Sequence, residues 1–188
     1  MLHVAALLAA GVGSRFVGPT HKLTADLRGR QVWQWALDQV LDAGFDHVVV
    51  VTGAVELAVP ASVTTVTNPL WALGQATSLH AATAAAGALG ADSVTIGLAD
   101  QPFVTAEAWR AVRDAPPGCR IVLAEYEGHP GPHPVRLGRD VWPMLPTEGD
   151  EGARRVIHLH PEWVCRVPCV GSVADIDTLE DLERWKNC

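Results

Sequence analysis

The sequence predicts an α/β domain in which helices cover both faces of a mainly parallel sheet. Three observations support this fold class. Continuously apolar runs of strand length recur along the 188-residue chain, segments with helical spacing separate them, and a glycine-rich turn follows the first run. Because ligands of such sheets bind at the carboxyl ends of the strands, we expect the functional site at that edge.

Strands and helices alternate in the predicted order of elements. The apolar runs that predict strands are residues 2–8, 47–51, 63–67, 94–98 and 121–124. The segments that predict helices are residues 33–41, with apolar side chains at helical spacing, the alanine-rich 74–88, then 105–112 and 178–186. Gly44 is expected to end the first helix and Thr105 to cap the third. Thr178 and Asp181 predict a capping box at the fourth.

The chain has the size of one domain, and we expect a single domain over residues 1–188. Neither a linker nor a low-complexity tract nor an internal repeat interrupts the sequence. Residues 128–146 are dense in glycine, proline and histidine. This composition predicts an inserted loop or hairpin that covers the site.

Composition and charge exclude several classes of protein. A formal net charge of −7 argues against general nucleic-acid binding, and no apolar stretch reaches the length of a membrane span. The start of the chain offers only His3 in place of the basic segment of a signal peptide. The irregular spacing of the cysteines favours reduced thiols in a cytoplasmic protein. These cysteines are Cys119, Cys165, Cys169 and Cys188.

The glycine-rich turn is the main clue to function. Gly11 and Gly13 let the backbone approach oxyanions, and successive amide groups form a concave anion cradle. Arg15 and Lys22 add positive charge beside it, which predicts a polyphosphate site. A dinucleotide fingerprint stays open, although its third glycine is displaced to Gly18. A P-loop is excluded because Leu23, and not serine or threonine, directly follows Lys22.

Asp100 is the second clue. It follows the predicted strand 94–98 closely, and Pro102 fixes the turn after it. A hard carboxylate at the carboxyl end of a buried strand suits Mg²⁺. A plain turn aspartate is the alternative interpretation, but a phosphate loop at the same edge of the sheet favours a metal ligand.

Several motifs occur in an order that resembles a known enzyme family. They are Leu7-Leu8-Ala9-Ala10-Gly11-x-Gly-x-Arg15-Phe16 with Lys22, Asn68-Pro69-x-Trp71-x-x-Gly74-Gln75-x-x-Ser78-Leu79, Gly97-Leu98-Ala99-Asp100-Gln101-Pro102-Phe103, His133-Pro134-Val135, Gly149-Asp150-Glu151-Gly152-Ala153-Arg154 and Asp175-Ile176-Asp177-Thr178-Leu179-Glu180-Asp181-Leu182. Over almost the whole chain they resemble the MobA-like NTP transferases, and most closely the molybdenum cofactor cytidylyltransferase (MocA-like) branch.

The resemblance implies a Rossmann-like three-layer sandwich with a mainly parallel, mixed sheet, of the nucleotide-diphospho-sugar transferase type. It implies an enzyme that moves CMP from CTP to the terminal phosphate of molybdopterin or of the molybdenum cofactor and releases pyrophosphate. The expected cofactor is Mg²⁺, with Mn²⁺ as a substitute. A molybdoenzyme is a further expected partner, whereas nucleic acid and membranes are not.

The resemblance also assigns roles to individual residues. The catalytic residues would be Arg15, Lys22 and Asp100. The nucleotide would contact Leu8, Ala9, Ala10, Gly11, Gly13, Asn68, Gly74 and Ser78. The acceptor would contact Gln101, His133, Asp150 and Arg154, with Arg154 or Arg136 as a clamp for an anionic group.

The metal would bind Asp100 together with Asp175 or Asp177. These two aspartates are two positions apart, so on an extended strand both would point to the same face. The Ala9-Ala10-Gly11 sequence resembles the cytidylyl branch, because the guanylyl branch tends to carry a glycine in the middle. The resemblance therefore favours CTP over GTP.

Two other functions remain open. The same turn would bind a dinucleotide in an NAD(P)H-dependent oxidoreductase, a chemistry linked to some relatives of this fold. Alternatively, the protein would bind nucleotide or cofactor without catalysis and deliver it to a molybdoenzyme. Binding of CTP with Mg²⁺, binding of NADPH without metal, and release of pyrophosphate distinguish the three.

Overall fold

The computed structural model describes residues 1–127 and 129–186. Its strands are β1 (His3–Ala9), β2 (Asp26–Leu27), β3 (Arg30–Gln31), β4 (His47–Thr52), β5 (Thr64–Thr67), β6 (Ser93–Leu98), β7 (Ile121–Tyr126), β8 (His129–Gly138) and β9 (Val164–Pro168). Its α-helices are α1 (Val32–Asp42), α2 (Gln75–Ala88), α3 (Ala106–Arg113), α4 (Arg154–Leu159) and α5 (Leu179–Lys186). Short 3₁₀ segments cover Lys22–Thr24, Trp71–Leu73, Arg139–Met144 and Pro161–Trp163. Every predicted strand and helix is present, with ends displaced by at most two residues.

Within the described residues, seven strands form one mixed sheet in the order β5-β4-β1-β6-β8-β7-β9. β1 pairs in parallel with β4 and β6, β4 pairs in parallel with β5, and β7 pairs in parallel with β9. β8 runs antiparallel between β6 and β7, and β2 with β3 forms a separate ribbon. The expected mainly parallel, mixed sheet is therefore confirmed.

β1 is buried on both faces because its alternate side chains pack against different helix layers. Ala5, Leu7 and Ala9 belong to the apolar cluster that contains side chains of α1 and α3. The side chains between them belong to the cluster that contains α2 and α4. Helices therefore cover both faces of the sheet, which is the expected three-layer arrangement.

The predicted helix ends are confirmed by the contacts there. Gly44 follows α1 with a φ of 71°, a conformation that favours glycine. The hydroxyl of Thr105 accepts a hydrogen bond from the Ala108 N–H at the start of α3. At the start of α5, Asp181 accepts from the Thr178 N–H, and the Thr178 hydroxyl accepts from the Asp181 N–H. In the described part of the chain, no helix has both the length and the apolar character that crossing a membrane requires.

Residues 128–146 build the sheet, which corrects the expectation of an insertion over the site. Residues 129–138 form β8 in the interior of the sheet, and a 3₁₀ segment follows; residue 128 lies outside the described residues. β8 does form a hairpin with β7, but Val135 and Leu137 are buried in the core. An alternating pattern of only two apolar residues is too short to predict a strand, especially among so many glycines and prolines.

The cysteines also depart from the expectation, which was reduced thiols. Cys119 and Cys165 form a disulfide that joins the segment before β7 to β9. The parallel pairing of β7 with β9 brings them together although 46 positions separate them in the sequence. Spacing alone could not predict this bond, because it results from the order of the strands. Cys169 is a free thiol, and Cys188 lies outside the described residues.

Candidate active site

A cavity of about 580 Å³ opens where β1 and β6 end at their carboxyl edge. The predicted site residues that line it are Leu8, Ala9, Ala10, Gly11, Gly13, Arg15, Lys22, Gly74, Ser78, Asp100, Asp150 and Asp177. They come from motifs that are far apart in the sequence. The parallel sheet therefore brings the predicted motifs together around a space large enough for a nucleotide.

The glycine-rich turn wraps around the side chain of Lys22. Gly13 has a φ of 63°, and the Phe16 N–H donates to the Gly13 carbonyl at 2.9 Å. A Cβ atom on Gly13 would lie only 3.0 Å from Lys22 Cγ. Glycine is therefore favoured here both by the backbone conformation and by the close approach of the lysine.

His21 supports the turn from its other side and was missed by the sequence reasoning. The Leu23 N–H donates to His21 Nδ1 at 3.2 Å, so Nε2 carries the proton and donates to the Gly11 carbonyl at 3.0 Å. Burial lowers the pKa of His21, which favours this neutral form. A single histidine in an irregular loop gives no specific signal, and only its position next to Lys22 could have drawn attention to it.

The centre of the cavity holds four charged side chains, named here the charge cluster: Arg15, Lys22, Asp100 and Asp177. Lys22 Nζ donates to Asp100 Oδ2 at 2.5 Å and to Asp177 Oδ1 at 2.7 Å. Arg15, whose side chain is 75% exposed, pairs with Asp177 Oδ2 at 2.7 Å. Burial lowers the pKa of Lys22, but the two carboxylates outweigh this effect and raise the pKa above its ordinary value. The cluster therefore contains two positive and two negative charges, and its lysine stays protonated.

Asp100 and Asp177 fit a divalent cation that is shared with a phosphorylated substrate. Asp100 Oδ1 is buried and has no hydrogen-bond partner among the described residues, which leaves an oxygen lone pair for a cation. In residues 1–127 and 129–186, no group of three or more His, Cys, Asp or Glu side chains is arranged to hold a metal. The remaining ligands would come from substrate oxygens and water, as is common for Mg²⁺.

Asp175 and Asp177 line different cavities, whereas the expectation for an extended strand placed both on one face. Residues 172–177 have no strand structure, so the alternation of a strand does not apply to them. Asp175 accepts a hydrogen bond from Gln101 Nε2 at 2.6 Å. Burial raises the pKa of Asp175, and the hydrogen bond from Gln101 opposes this shift. Of the two aspartates, Asp177 belongs to the charge cluster and Asp175 lies beside it.

A second cavity, of about 180 Å³, adjoins the first and shares Leu8, Gln75 and Leu98 with it. Besides Gln75, the polar residues that line the second cavity are Gln101, His133, Glu151, Arg154 and Asp175. Burial lowers the pKa of His133 to about 4, so its ring is neutral at physiological pH. Most of the remaining lining is aliphatic, and the second cavity therefore combines an apolar wall with the charged side chains of Glu151, Arg154 and Asp175.

Gln101 is held in one orientation inside the second cavity. Its Nε2 donates to Asp175 Oδ1 at 2.6 Å and to the Val173 carbonyl at 3.4 Å. Both partners are acceptors, so the amide nitrogen must face them and Oε1 points the other way. Oε1 is buried and lacks a hydrogen-bond partner in the described part of the chain. An unpaired acceptor of this kind is suited to accept a hydrogen bond from a donor group on a ligand.

Asn68 supports the first cavity from behind and does not line it, unlike the other residues expected to contact the nucleotide. Its amide nitrogen donates to Thr77 Oγ1 at 2.8 Å and to Ser78 Oγ at 3.0 Å. Its Oδ1 accepts from the Leu70 N–H at 2.9 Å, and the residue is only 4% exposed. This network ties the turn after β5 to the first turn of α2.

Asp150 lies at the first cavity and not among the residues that line the second. Its Oδ1 accepts from the Gln75 N–H at 3.1 Å, where α2 begins. The neighbouring Gly149 packs on Gly74, where a Cβ atom would lie 2.5 Å from the Gly149 carbonyl carbon. Asp150 therefore caps the start of α2. If it also contacts the acceptor substrate, as expected from the sequence, that contact would have to be made in the first cavity.

Arg136 faces neither cavity, so the expectation that it clamps a ligand is wrong. It is 4% exposed and donates hydrogen bonds at 2.7–3.3 Å to four backbone carbonyls. These carbonyls belong to Arg113, Ala115, Pro116 and Cys119. They run from the last residue of α3 to the segment just before β7, whereas Arg154 does line the second cavity.

Known proteins are similar to this chain in sequence and in fold. Residues 5–164 match the sequence profile of the MobA-like NTP transferase domain. Nicotine blue oxidoreductase of Paenarthrobacter nicotinovorans is 31% identical, over 95% of this chain and 93% of its own length. Rv0371c of Mycobacterium tuberculosis H37Rv is 26% identical, with a TM-score of 0.79 over 100% of this chain and 99% of that chain. A structure of Rv0371c in complex with manganese gives a TM-score of 0.77 at 24% identity, with the same coverage of both chains.

Proposed function

This chain belongs to the MobA-like NTP transferase family, and we propose that it transfers CMP from CTP to the terminal phosphate of a molybdopterin-type cofactor. The charge cluster beside the glycine-rich turn is the observation that carries this proposal. It offers cations to a polyphosphate and carboxylates to the metal that accompanies a nucleoside triphosphate. In the reaction, an oxygen of the acceptor phosphate bonds to the α-phosphorus of CTP, the bond to the bridging oxygen of the β-phosphate breaks, and pyrophosphate leaves.

The protein contributes chiefly by holding two anions that repel each other. Arg15 at the mouth of the cavity and Lys22 inside it would contact the phosphates that leave as pyrophosphate. Cations fixed in this way stabilise the charge that develops on the leaving group. Mg²⁺ bound at Asp100 and Asp177 would neutralise further phosphate charge. The manganese complex of Rv0371c supports a divalent cation in this fold, and we expect Mn²⁺ to replace Mg²⁺.

Ala9 and Ala10 support cytosine as the base. They are 2% and 3% exposed and line the first cavity at the end of β1. A glycine at position 10 would remove a methyl group from this end of β1, and we expect the loss to leave more room for a purine. A methyl group in such a pocket changes the preference by about 1–3 kcal/mol, so we expect CTP to be preferred over GTP by about 10- to 200-fold.

The second cavity is the proposed acceptor site. It adjoins the charge cluster through Gln101, which directly follows Asp100 in the sequence. The neutral ring of His133 and the fixed amide of Gln101 suit an uncharged heterocycle with hydrogen-bond donors. Arg154 would attract the negative charge of the acceptor. A molybdoenzyme that receives the product is the proposed protein partner.

Calorimetry and a turnover assay test the proposed function. We expect CTP to bind in the presence of Mg²⁺ more tightly than GTP or ATP, and pyrophosphate to appear when molybdopterin is added. Removal of the metal with EDTA should abolish turnover. The proposal fails if CTP does not bind, or if pyrophosphate never appears with authentic molybdopterin. Binding of CTP without turnover would instead favour a nucleotide-binding partner of a molybdoenzyme.

An NAD(P)H-dependent oxidoreductase is the second candidate, favoured by the 31% identity to nicotine blue oxidoreductase. In that case the glycine-rich turn and Arg15 would hold the diphosphate of a dinucleotide. A dinucleotide would not require the carboxylates of the charge cluster. Titration with NADPH in EDTA distinguishes the candidates, because tight binding without metal supports the oxidoreductase and contradicts the transferase.

A further inference from the structure

We propose that Lys22 makes the first cavity specific for a metal–polyphosphate complex and excludes the free divalent cation. This inference rests on the proposed function and adds how the metal enters the site. Lys22 Nζ lies between Asp100 and Asp177, 2.5 Å from one carboxylate oxygen and 2.7 Å from the other. The ammonium group and the metal would therefore compete for the same two carboxylates.

A free divalent cation cannot replace Lys22 without leaving a buried charge unpaired. The side chain of Lys22 is 11% exposed, and the hydrogen bonds of Nζ within the described residues go to these two carboxylates. An ammonium displaced by a metal would lose both acceptors and would lie next to two positive charges in a poorly solvated place. The second oxygen of Asp177 is held by Arg15 as well. The balanced charges of the cluster thus oppose entry of the metal by itself.

A polyphosphate removes this opposition because it brings new anionic oxygens. Lys22 and Arg15 can pair with the phosphates while the carboxylates pair with the metal, so every charged group keeps a partner of opposite sign. Asp100 Oδ1, which is buried and has no hydrogen-bond partner in the described residues, then gains a ligand. Lys22 can change its ionic partners without moving far. The glycine-rich turn, which is the predicted phosphate site, packs directly against the methylene groups of the Lys22 side chain. Metal and polyphosphate should therefore bind as one unit.

Calorimetry with three titrants tests this inference without turnover. The titrants are MnCl₂, tripolyphosphate in EDTA, and the preformed manganese–tripolyphosphate complex. For the unmodified protein we expect the preformed complex to bind at least about tenfold more tightly than either component, because unpaired charges in the cavity are strongly unfavourable. Electron paramagnetic resonance of Mn²⁺ measures the free metal directly in the first titration.

Substitutions of the two lysines of the chain separate the charge of Lys22 from other effects. Lys22→Met should bind Mn²⁺ alone at least about tenfold more tightly than the unmodified protein, since the competing ammonium is gone. Lys22→Arg keeps the positive charge and should bind Mn²⁺ as weakly as the unmodified protein. Lys186→Met is the matched control, because it removes the other lysine, which pairs with Glu183 on the surface, and should change nothing.

The inference is overturned if the unmodified protein binds free Mn²⁺ as tightly as Lys22→Met does. Failure of the proposed function gives a different result: manganese–CTP does not bind, while the Mn²⁺ affinities of the unmodified protein and Lys22→Met still differ. Circular dichroism checks that each variant folds. If Lys22→Met does not fold, Lys22→Gln replaces it, because its amide still donates hydrogen bonds to the carboxylates and carries no charge.

Discussion

The two edges of the central sheet each hold a largely buried cation, and the two cations have different kinds of partner. At the carboxyl edge, Lys22 contacts two carboxylate side chains that a ligand could take over. At the amino edge, Arg136 contacts backbone carbonyls that form part of the loop after α3. Burial of a charge therefore does not by itself identify a functional site. A functional site is identified by charged partners that a ligand could replace.

Carboxylates show the same contrast between the edges. Asp46 and Asp92 at the amino edge each accept a hydrogen bond from a backbone N–H at the start of the chain. Asp100 at the carboxyl edge keeps one buried oxygen without a hydrogen-bond partner among the described residues. Substitutions at the amino edge should therefore change stability, whereas substitutions at the carboxyl edge should change ligand binding and turnover.

Asp100→Asn should have the largest effect, and that effect should be on turnover. The substitution keeps the shape of the side chain but removes the charge that would hold Mg²⁺, so we expect pyrophosphate release to fall by about 10²–10³-fold. Asp46→Asn at the amino edge is the matched control and should release pyrophosphate at the normal rate. Unchanged turnover of Asp100→Asn would refute the assignment of Asp100 to the metal.

Arg136→Met and Lys22→Met should both lower stability, and Mn²⁺ should restore the stability of Lys22→Met only. Arg136→Met leaves four carbonyls without their donor, and we expect the free energy of unfolding to fall by about 3–5 kcal/mol. Lys22→Met leaves Asp100 without a cationic partner and Asp177 with Arg15 alone, and we expect a smaller loss that Mn²⁺ reverses by binding between the two carboxylates. Thermal unfolding with and without Mn²⁺ measures both effects. Recovery of Arg136→Met by Mn²⁺ would contradict the distinction between fixed and exchangeable partners.

The parts of the fold and site that could be predicted are those encoded by local sequence. β1 is a continuous apolar run, the turn after it contains the glycines that its backbone needs, and Asp100 follows another apolar run. Each of these signals lies within about ten neighbouring residues, so it can be recognised in the sequence without knowledge of the fold. The parallel topology then places the turn and Asp100 at one edge.

The parts that could not be predicted depend on contacts between distant segments. The choice between Asp175 and Asp177 follows from which side chain reaches Lys22, and the direction of Arg136 follows from the loop after α3. The disulfide depends in the same way on the pairing of β7 with β9. Residue type and spacing are equally compatible with the wrong assignments, because tertiary packing decides between them.

Gly74→Ala and Gly90→Ala compare the two ends of α2, which point to opposite edges of the sheet. Gly74 has a φ of 107°, and a Cβ atom there would lie 2.5 Å from the backbone of Gly149, so we expect a loss of about 2–3 kcal/mol and weaker CTP binding. Gly90 has a φ of 78° but open space around it, so Gly90→Ala should lose only about 1 kcal/mol. Urea denaturation and calorimetry measure the two effects. Equal losses would contradict the close packing of residues 149–150 on the start of α2.

His133 should give an effect that appears only as a dependence of stability on pH. Burial lowers its pKa to about 4 in the folded protein, whereas the unfolded chain has the ordinary value of 6.5. Between these values the unfolded state binds a proton that the folded state does not, so stability falls as the pH is lowered from 6.5 to 4. The loss attributable to this residue is at most about 3 kcal/mol.

His133→Gln should therefore flatten the pH dependence of the unfolding free energy between pH 6.5 and 4. His47→Gln, which replaces an exposed histidine at the amino edge, should leave the slope unchanged. An unchanged slope for His133→Gln would mean that folding does not lower the pKa of His133, so that the ring would be charged in the folded protein below about pH 6.5. A charged ring would contradict the interpretation of the second cavity as a place for an uncharged group, because that interpretation requires both a neutral imidazole and the fixed amide of Gln101.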